Sequence, residues 1–187
     1  LIGTDFNYRN SRLRNGRIIA AHAWYQQTDT EGLTDNNRAF GVGFSAPNAD
    51  AWRGEFAFKR IEENFDPAVG FVNRSGIQDF ALDFGYRHRA DSGGFLRSIY
   101  GGFDGYRAET LNDGKVSSQT IGLRLTGENN TGDNISSRII RSREVLPEDF
   151  NIYTASDGSQ SVEIPKGDYS FNELLININF GDHRILS

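Results

Sequence analysis

Apolar and polar positions alternate with period two along most of this chain. In Ile2-Gly3-Thr4-Asp5-Phe6-Asn7-Tyr8-Arg9 the even positions are apolar or amphipathic and the odd ones small, polar or charged. A strand sends successive side chains to opposite faces, so the pattern predicts a strand with one apolar face. The same reading holds for Ile19–Gln26, Ala39–Ser45, Trp52–Lys59 and Asp79–Arg87. It continues through Ser98–Asp104, Thr120–Thr126 and Leu174–Phe180. The segment from Ile135 to Glu144 alternates poorly and is assigned as a strand mainly because its neighbours need a partner. No segment offers a helical period over ten or more residues. The expected fold is all-β and antiparallel, with about nine strands, in a single segment spanning 1–187.

The connections alternate in length. Short polar turns fall at Pro47–Asp50, Ala90–Gly94 and Asn129–Asp133. Longer connections fall at Asp29–Asn37, Ile61–Gly76 and Leu146–Gly167, and Asn112-Asp113-Gly114 marks a tight hairpin. Short turns at one end and long loops at the other are the habit of outer-membrane barrels.

Composition sharpens the choice between a soluble β-domain and a membrane barrel. Of the 20 basic residues only Lys59, Lys115 and Lys166 are lysines, leaving 17 arginines. Arginine suits fixed bidentate ladders better than a freely solvated surface does. The polar face carries such charges at close spacing: Asp5 with Arg9, Arg53 with Glu55 and Lys59, Asp79 and Asp83 with Arg87, and Arg124. The opposite face is built from Phe, Leu, Ile and Tyr, which suits lipid, and Tyr8, Tyr25, Trp52 and Tyr86 lie near strand ends where an aromatic girdle would sit. The expectation is an up-and-down transmembrane barrel, with the charged face as a lumen ladder. The net charge of −5 argues against non-specific nucleic-acid binding. The absence of cysteine excludes disulfides and thiolate chemistry.

Candidate chemistry is sparse. His22, His88 and His183 sit in separate segments without metal-ligand spacing, and no metal or other cofactor is expected. Asp79 and Asp83 share one strand face beside Arg87, which would hold both ionised, whereas an acid–base pair needs one raised carboxyl. No catalytic residue is assigned. Gly41, Gly43, Gly101, Gly102 and Gly105 lie in strands, where close packing explains them better than a phosphate loop does. Asp29–Asn37 and Ser156–Gln160 lack the ligand order of a calcium loop, and turn chemistry accounts for them. The most unusual connection is Asn64–Arg74. Its Phe65, Pro67 and Phe71 are too apolar for a solvated loop, which points to a rim or plug element ending at Arg74.

Several separated stretches resemble a family of bacterial outer-membrane proteins. They are Thr4–Arg12, Ala23–Gly32, Asn64–Arg74, Glu128–Asp133 and Ile164–Phe171. That family has a C-terminal β-barrel of unknown function behind a module similar to carbohydrate-binding domains, and some members are labelled membrane-associated hydrolases. The resemblance implies an outer-membrane location, with membrane lipid, the rest of the barrel and an N-terminal module as partners, and a saccharide or other small solute as possible cargo. The chain opens inside an alternating strand and ends without a terminal aromatic, so it is expected to be part of a larger barrel. Its role is then a transport channel, or an anchor and export route for the attached module. The alternatives are a soluble carbohydrate-binding β-domain, which needs a closed apolar core, and a hydrolase, which needs convergent catalytic groups.

Overall fold

The computed structural model describes residues 1–32, 35–67, 70–90, 93–154 and 161–181. His183, the segment Ser156–Gln160 and parts of the turns at 29–37 and 90–94 therefore lie outside the described residues. Among the described residues there are eleven strands, and the only helical element is a short 3-10 turn at Arg14–Gly16. The first five strands are β1 (Ile2–Asn10), β2 (Ile19–Gln27), β3 (Arg38–Ala46), β4 (Ala51–Ile61) and β5 (Ile77–Arg89). They are followed by β6 (Leu96–Thr110), β7 (Val116–Asn129) and β8 (Asn134–Leu146). A small hairpin, β9 (Phe150–Thr154) with β10 (Ser161–Ile164), precedes the last strand, β11 (Gly167–Asn179).

Nine strands form one antiparallel up-and-down sheet in the order β1-β2-β3-β4-β5-β6-β7-β8-β11. The sheet is not closed, and β1 and β11 are its edges. The weakly alternating segment near Ile135 is a full strand, paired with β7 on one side and β11 on the other. The connection expected as one long loop over 146–167 instead contains β9 and β10, which form a separate two-stranded sheet.

Turn chemistry fixes the short end. Asn48 Oδ1 accepts the Ile18 N–H at 2.9 Å, tying two adjacent turns together. Asn129 Oδ1 accepts the N–H groups of Thr131 at 3.0 Å and Asp133 at 2.8 Å. Gly132 follows with φ of 83°, a conformation that glycine adopts without a Cβ clash. At the opposite end the β6–β7 turn is closed by Asp113, whose Oδ1 accepts the Lys115 N–H at 3.1 Å and the Thr110 hydroxyl at 2.5 Å.

The register places each face in rows. One row runs Phe6, Ala23, Val42, Phe58, Phe80, and another runs Phe84, Phe103, Leu123, Ile139, Leu174. This outward face is an apolar band. Trp52 and Tyr86 pack edge to face at 4.8 Å near its short-turn edge, and Tyr8 lies on the same side of the band. At the long-loop end the outward face becomes polar, with Arg60, Gln78, Arg107, Glu109, Gln119, Arg141 and Arg143.

Burial is inverted relative to a water-soluble sheet. Asp79 is 6% exposed, Ser98 2% and Ser142 7%, whereas Leu123 is 59% exposed and Leu125 and Ile139 are 58%. Phe56, Phe84 and Ile178 are likewise exposed, with Phe58 and Phe80 partly covered by their neighbours on the sheet. On the polar face side chains two strands apart meet, as Arg124 does with Asp83 and Arg138 with Asp104.

Candidate functional site: the polar face and its loop

Large inward side chains lie over glycines of neighbouring positions. A Cβ added to Gly41 would fall 2.7 Å from the Trp24 Nε1, and one on Gly43 would strike the His22 ring. Gly85 and Gly102 are both covered by Tyr100. The missing side chains at these positions leave room for the Trp24, His22 and Tyr100 rings on the polar face of the sheet. Gly101 and Gly105 face outward and are not covered in this way. The five glycines singled out in the sequence therefore divide between the two faces.

Charge is arranged in two adjoining rows. Glu55, Asp83 and Asp104 stand at directly opposed positions on β4, β5 and β6. Such neighbours lie about 4.8 Å apart between strand axes. The next row toward the short turns carries Arg53, Arg124 and Arg138, with Gly85 and Gly102 between the first two. Arg53 Nε lies 3.8 Å from Asp83 Oδ1, and Arg124 reaches Asp104 Oδ1 at 3.4 Å and Asp83 Oδ2 at 4.0 Å. Arg138 grips Asp104 through two bonds, its Nε donating to Oδ1 at 3.1 Å. Each arginine thus offsets the repulsion between adjacent carboxylates. Glu55 makes no ion pair among the described residues.

Tyr100 sits between two more cations. The guanidinium carbons of Arg53 and Arg87 lie 5.8 Å and 5.4 Å from its ring centre. Arg87 also approaches Ser98 Oγ at 3.4 Å. The Tyr100 hydroxyl is buried and makes no hydrogen bond. Cation–π attraction and ring burial hold this side chain, not its polar tip.

Nearer the long loops, Lys59 Nζ lies 3.2 Å from Asp79 Oδ2, and the Tyr106 hydroxyl donates to the same oxygen at 3.4 Å. These groups form one wall of a cavity of about 630 Å³. Trp24, Ala39, Ile61 and Ile77 of the strands also line it, together with Phe65, Pro67, Phe71 and Arg74 of the 62–76 connection. That loop is anchored to the 28–37 connection. Asn64 N–H donates to Asn36 O at 2.8 Å, its Nδ2 donates to Asp35 O at 2.7 Å, and Asp66 N–H donates to Thr28 Oγ1 at 3.4 Å. Phe65 is 5% exposed, at the end where the inward face is apolar at Ala39, Ile61 and Ile77, whereas Phe71 is 88% exposed. The loop's apolar content thus serves two ends, with Phe65 covering this patch and the exposed Phe71 at the rim of the cavity.

The remaining ladder residues are less connected. Asp5 and Arg9 lie on the polar face of the edge strand β1. Asp5 Oδ2 accepts from Asn7 Nδ2 at 2.7 Å, and Arg9 makes no ion pair among the described residues. Asp104, Arg138, Tyr100 and Tyr106 were not singled out by the sequence. Asp104 is the partner of Arg124, and Arg138 is the partner of Asp104, and only the register between β5, β6, β7 and β8 discloses them.

Outside the strands, Asp113 is held down to about 2, because the Lys115 ammonium 2.8 Å away and the Thr110 hydroxyl favour its ionised form. Among the described residues no group of three or more His, Cys, Asp or Glu side chains is placed to hold a metal ion. Comparison of the chain with protein-family models, with curated proteins and with solved structures finds no match.

Proposed function

We propose that this chain is part of the wall of a bacterial outer-membrane β-barrel, with its apolar face in lipid and its charged face lining a water-filled interior. The observation that carries the reading is the inverted burial, in which Asp79 and Ser98 are covered while Leu123, Leu125 and Ile139 stand out. A sheet in water would lose stability by exposing such a face, whereas a sheet in lipid gains by it. From Phe80 to Tyr86 the apolar outward positions of β5 span about 20 Å along the strand, or about 16 Å at a tilt near 40°, which covers most of the apolar belt of such barrels.

The unpaired outer edges of β1 and β11 require partners, because exposed backbone donors and acceptors are costly in lipid. The remaining strands of the same barrel would supply them, with the N-terminal module outside the membrane. Within the barrel the best-supported role is solute passage past the charge rows, narrowed at the long-loop end by the 62–76 loop. The cavity there offers Trp24 and Tyr106 as flat surfaces and Lys59, Asp79 and Arg74 as polar contacts, which suits a small polar solute such as a saccharide. An anchor or export route for the attached module is the other reading, favoured if the loop blocks passage.

The test is insertion. The complete barrel that contains this chain, refolded with lipid vesicles, should resist alkaline and urea extraction and admit small solutes in a swelling assay. Protein that remains in buffer, monomeric and folded without detergent, would contradict the proposal.

A further inference from the structure

We propose that the outer face carries a site for a phosphate-bearing lipid, in the groove over Gly105. An acyl chain lies along the groove and the phosphate is held by Arg107 and Arg141. This deepens the membrane reading above and rests on it.

The groove follows from the register. Leu82, Gly105, Ile121 and Arg141 stand side by side across β5, β6, β7 and β8 on the outward face. Gly105 leaves a gap in that row, and a groove of about 290 Å³ opens there, lined by Phe56, Leu82, Phe103 and Ile121. Arg107, the next outward position on β6, stands at its long-loop head. Arg141 lies two strands from β6, about 10 Å away along the sheet, which two long side chains can close around one headgroup.

The charge balance at this head is positive. Arg107 is paired with Glu109 at 2.5 Å and Arg143 with Asp168 at 2.6 Å. Arg141 is exposed and makes no ion pair among the described residues. A guanidinium without a counter-charge at the border of an apolar band attracts an anion strongly, because the adjoining low-dielectric medium screens it poorly. Its planar fork matches phosphate oxygens in pairs. Free phosphate would use the cations and ignore the groove. A neutral lipid would fill the groove and ignore the cations. Of the three, the phosphate-bearing lipid alone uses both.

A second groove supplies the internal contrast. It lies over Gly127 near the short turns, has a volume of about 370 Å³, and is lined by Ile99, Leu125, Ile135 and Ile176 with no arginine. That groove should accept a chain without preference for the headgroup.

The experiment titrates the protein in nonionic detergent with phosphatidic acid, with diacylglycerol of the same chains, and with inorganic phosphate, read by native mass spectrometry. Phosphatidic acid should bind at least about tenfold more tightly than either, the effect of one or two charge-assisted hydrogen bonds. Replacing both cations (R107Q with R141Q) should reduce its binding to the diacylglycerol level, and R141Q alone, which breaks no ion pair, should cost several-fold. Gly105→Leu should weaken both lipids by filling the groove, and Lys115→Gln on the distant turn should change nothing. Each variant is first checked for unchanged β-sheet circular dichroism. Equal affinity for phosphatidic acid and diacylglycerol in the unmodified protein would overturn the inference, as would unchanged affinity in R141Q. Failure to enter vesicles at all would defeat the membrane reading and this site with it, whereas insertion without headgroup preference defeats the site alone.

Discussion

Lys59 and Asp79 face each other at directly opposed positions of β4 and β5, with Nζ 3.2 Å from Oδ2, beneath the inward loop. The two partners differ in environment, since the Asp79 side chain is 8% exposed and that of Lys59 is 47% exposed. The carboxylate is thus a fixed, covered charge and the ammonium the movable one. In a pore this places the negative charge in the wall and leaves the cation free to yield to a passing solute.

Neutralising Asp79 and Asp83 together, each to Asn, should leave the sheet folded. The Asp83 pairs are partly exposed and contribute only about 0–1 kcal/mol each, and Asn at 79 keeps an oxygen to accept the Tyr106 hydroxyl beside the half-exposed Lys59. In a barrel of the proposed kind the internal field should change more, because low-dielectric walls focus it. With Arg53 and Lys59 left without their partners and Arg124 keeping only Asp104, ion selectivity should shift toward anions, read as a changed reversal potential across a KCl gradient. An unchanged potential would remove these residues from the permeation path. No conductance in any variant would favour the anchor reading.

Gly85→Leu should destabilise the protein by about 1–3 kcal/mol, the usual cost of overpacking, because the new side chain must displace the Tyr100 ring. Gly101→Ala should be close to neutral, since a Cβ there meets nothing within 4 Å. Unfolding of the two variants in denaturant, followed by circular dichroism, separates them. Equal midpoints would mean that Tyr100 is not held over the glycine.

How far the sequence discloses the fold depends on where each strand meets the apolar band. β5 is legible at once, because Phe80, Leu82, Phe84 and Tyr86 alternate with Asp79, Asp83 and Arg87 across the whole band. β8 is not, because Ile140 faces inward and Arg141 outward where the strand leaves the band. Alternation fades there although pairing continues. The β9–β10 hairpin was hidden for a related reason, as strands of five and four residues with exposed faces have no buried side to pattern them. The loop at 62–76 announced itself by composition alone. The Tyr100 pocket and the Asp104–Arg138 pair had no comparable signal, because each joins residues through register and not through spacing.

The β6–β7 turn should keep its structure to unusually low pH. The folded Asp113 carboxyl titrates at about 2, below its ordinary value of 3.8, so its stabilising contribution is complete above the ordinary value and disappears as pH falls toward 2. The Lys115 amide, which donates to Asp113 at 3.1 Å, should report this as a chemical-shift titration centred near 2. A midpoint near 3.8, or the same titration in Asp113→Asn, would show that the contact does not persist in solution.

The connections at 111–115 and 130–133 lie at opposite ends of β7. Because the chain contains no cysteine, single substitutions report cleanly. A membrane-impermeant maleimide applied to intact cells should label Asn112→Cys and spare Thr131→Cys. Equal labelling would contradict a spanning sheet.

The two tryptophans test the central claim most directly, because the register puts Trp24 on the charged face and Trp52 on the apolar one. In vesicles of bromine-substituted lipid, the fluorescence of Trp52 in a W24F variant should be strongly quenched. That of Trp24 in a W52F variant should be nearly unaffected. Equal quenching of both, or quenching of neither, would contradict a sheet with one face in lipid and the other turned to an aqueous interior.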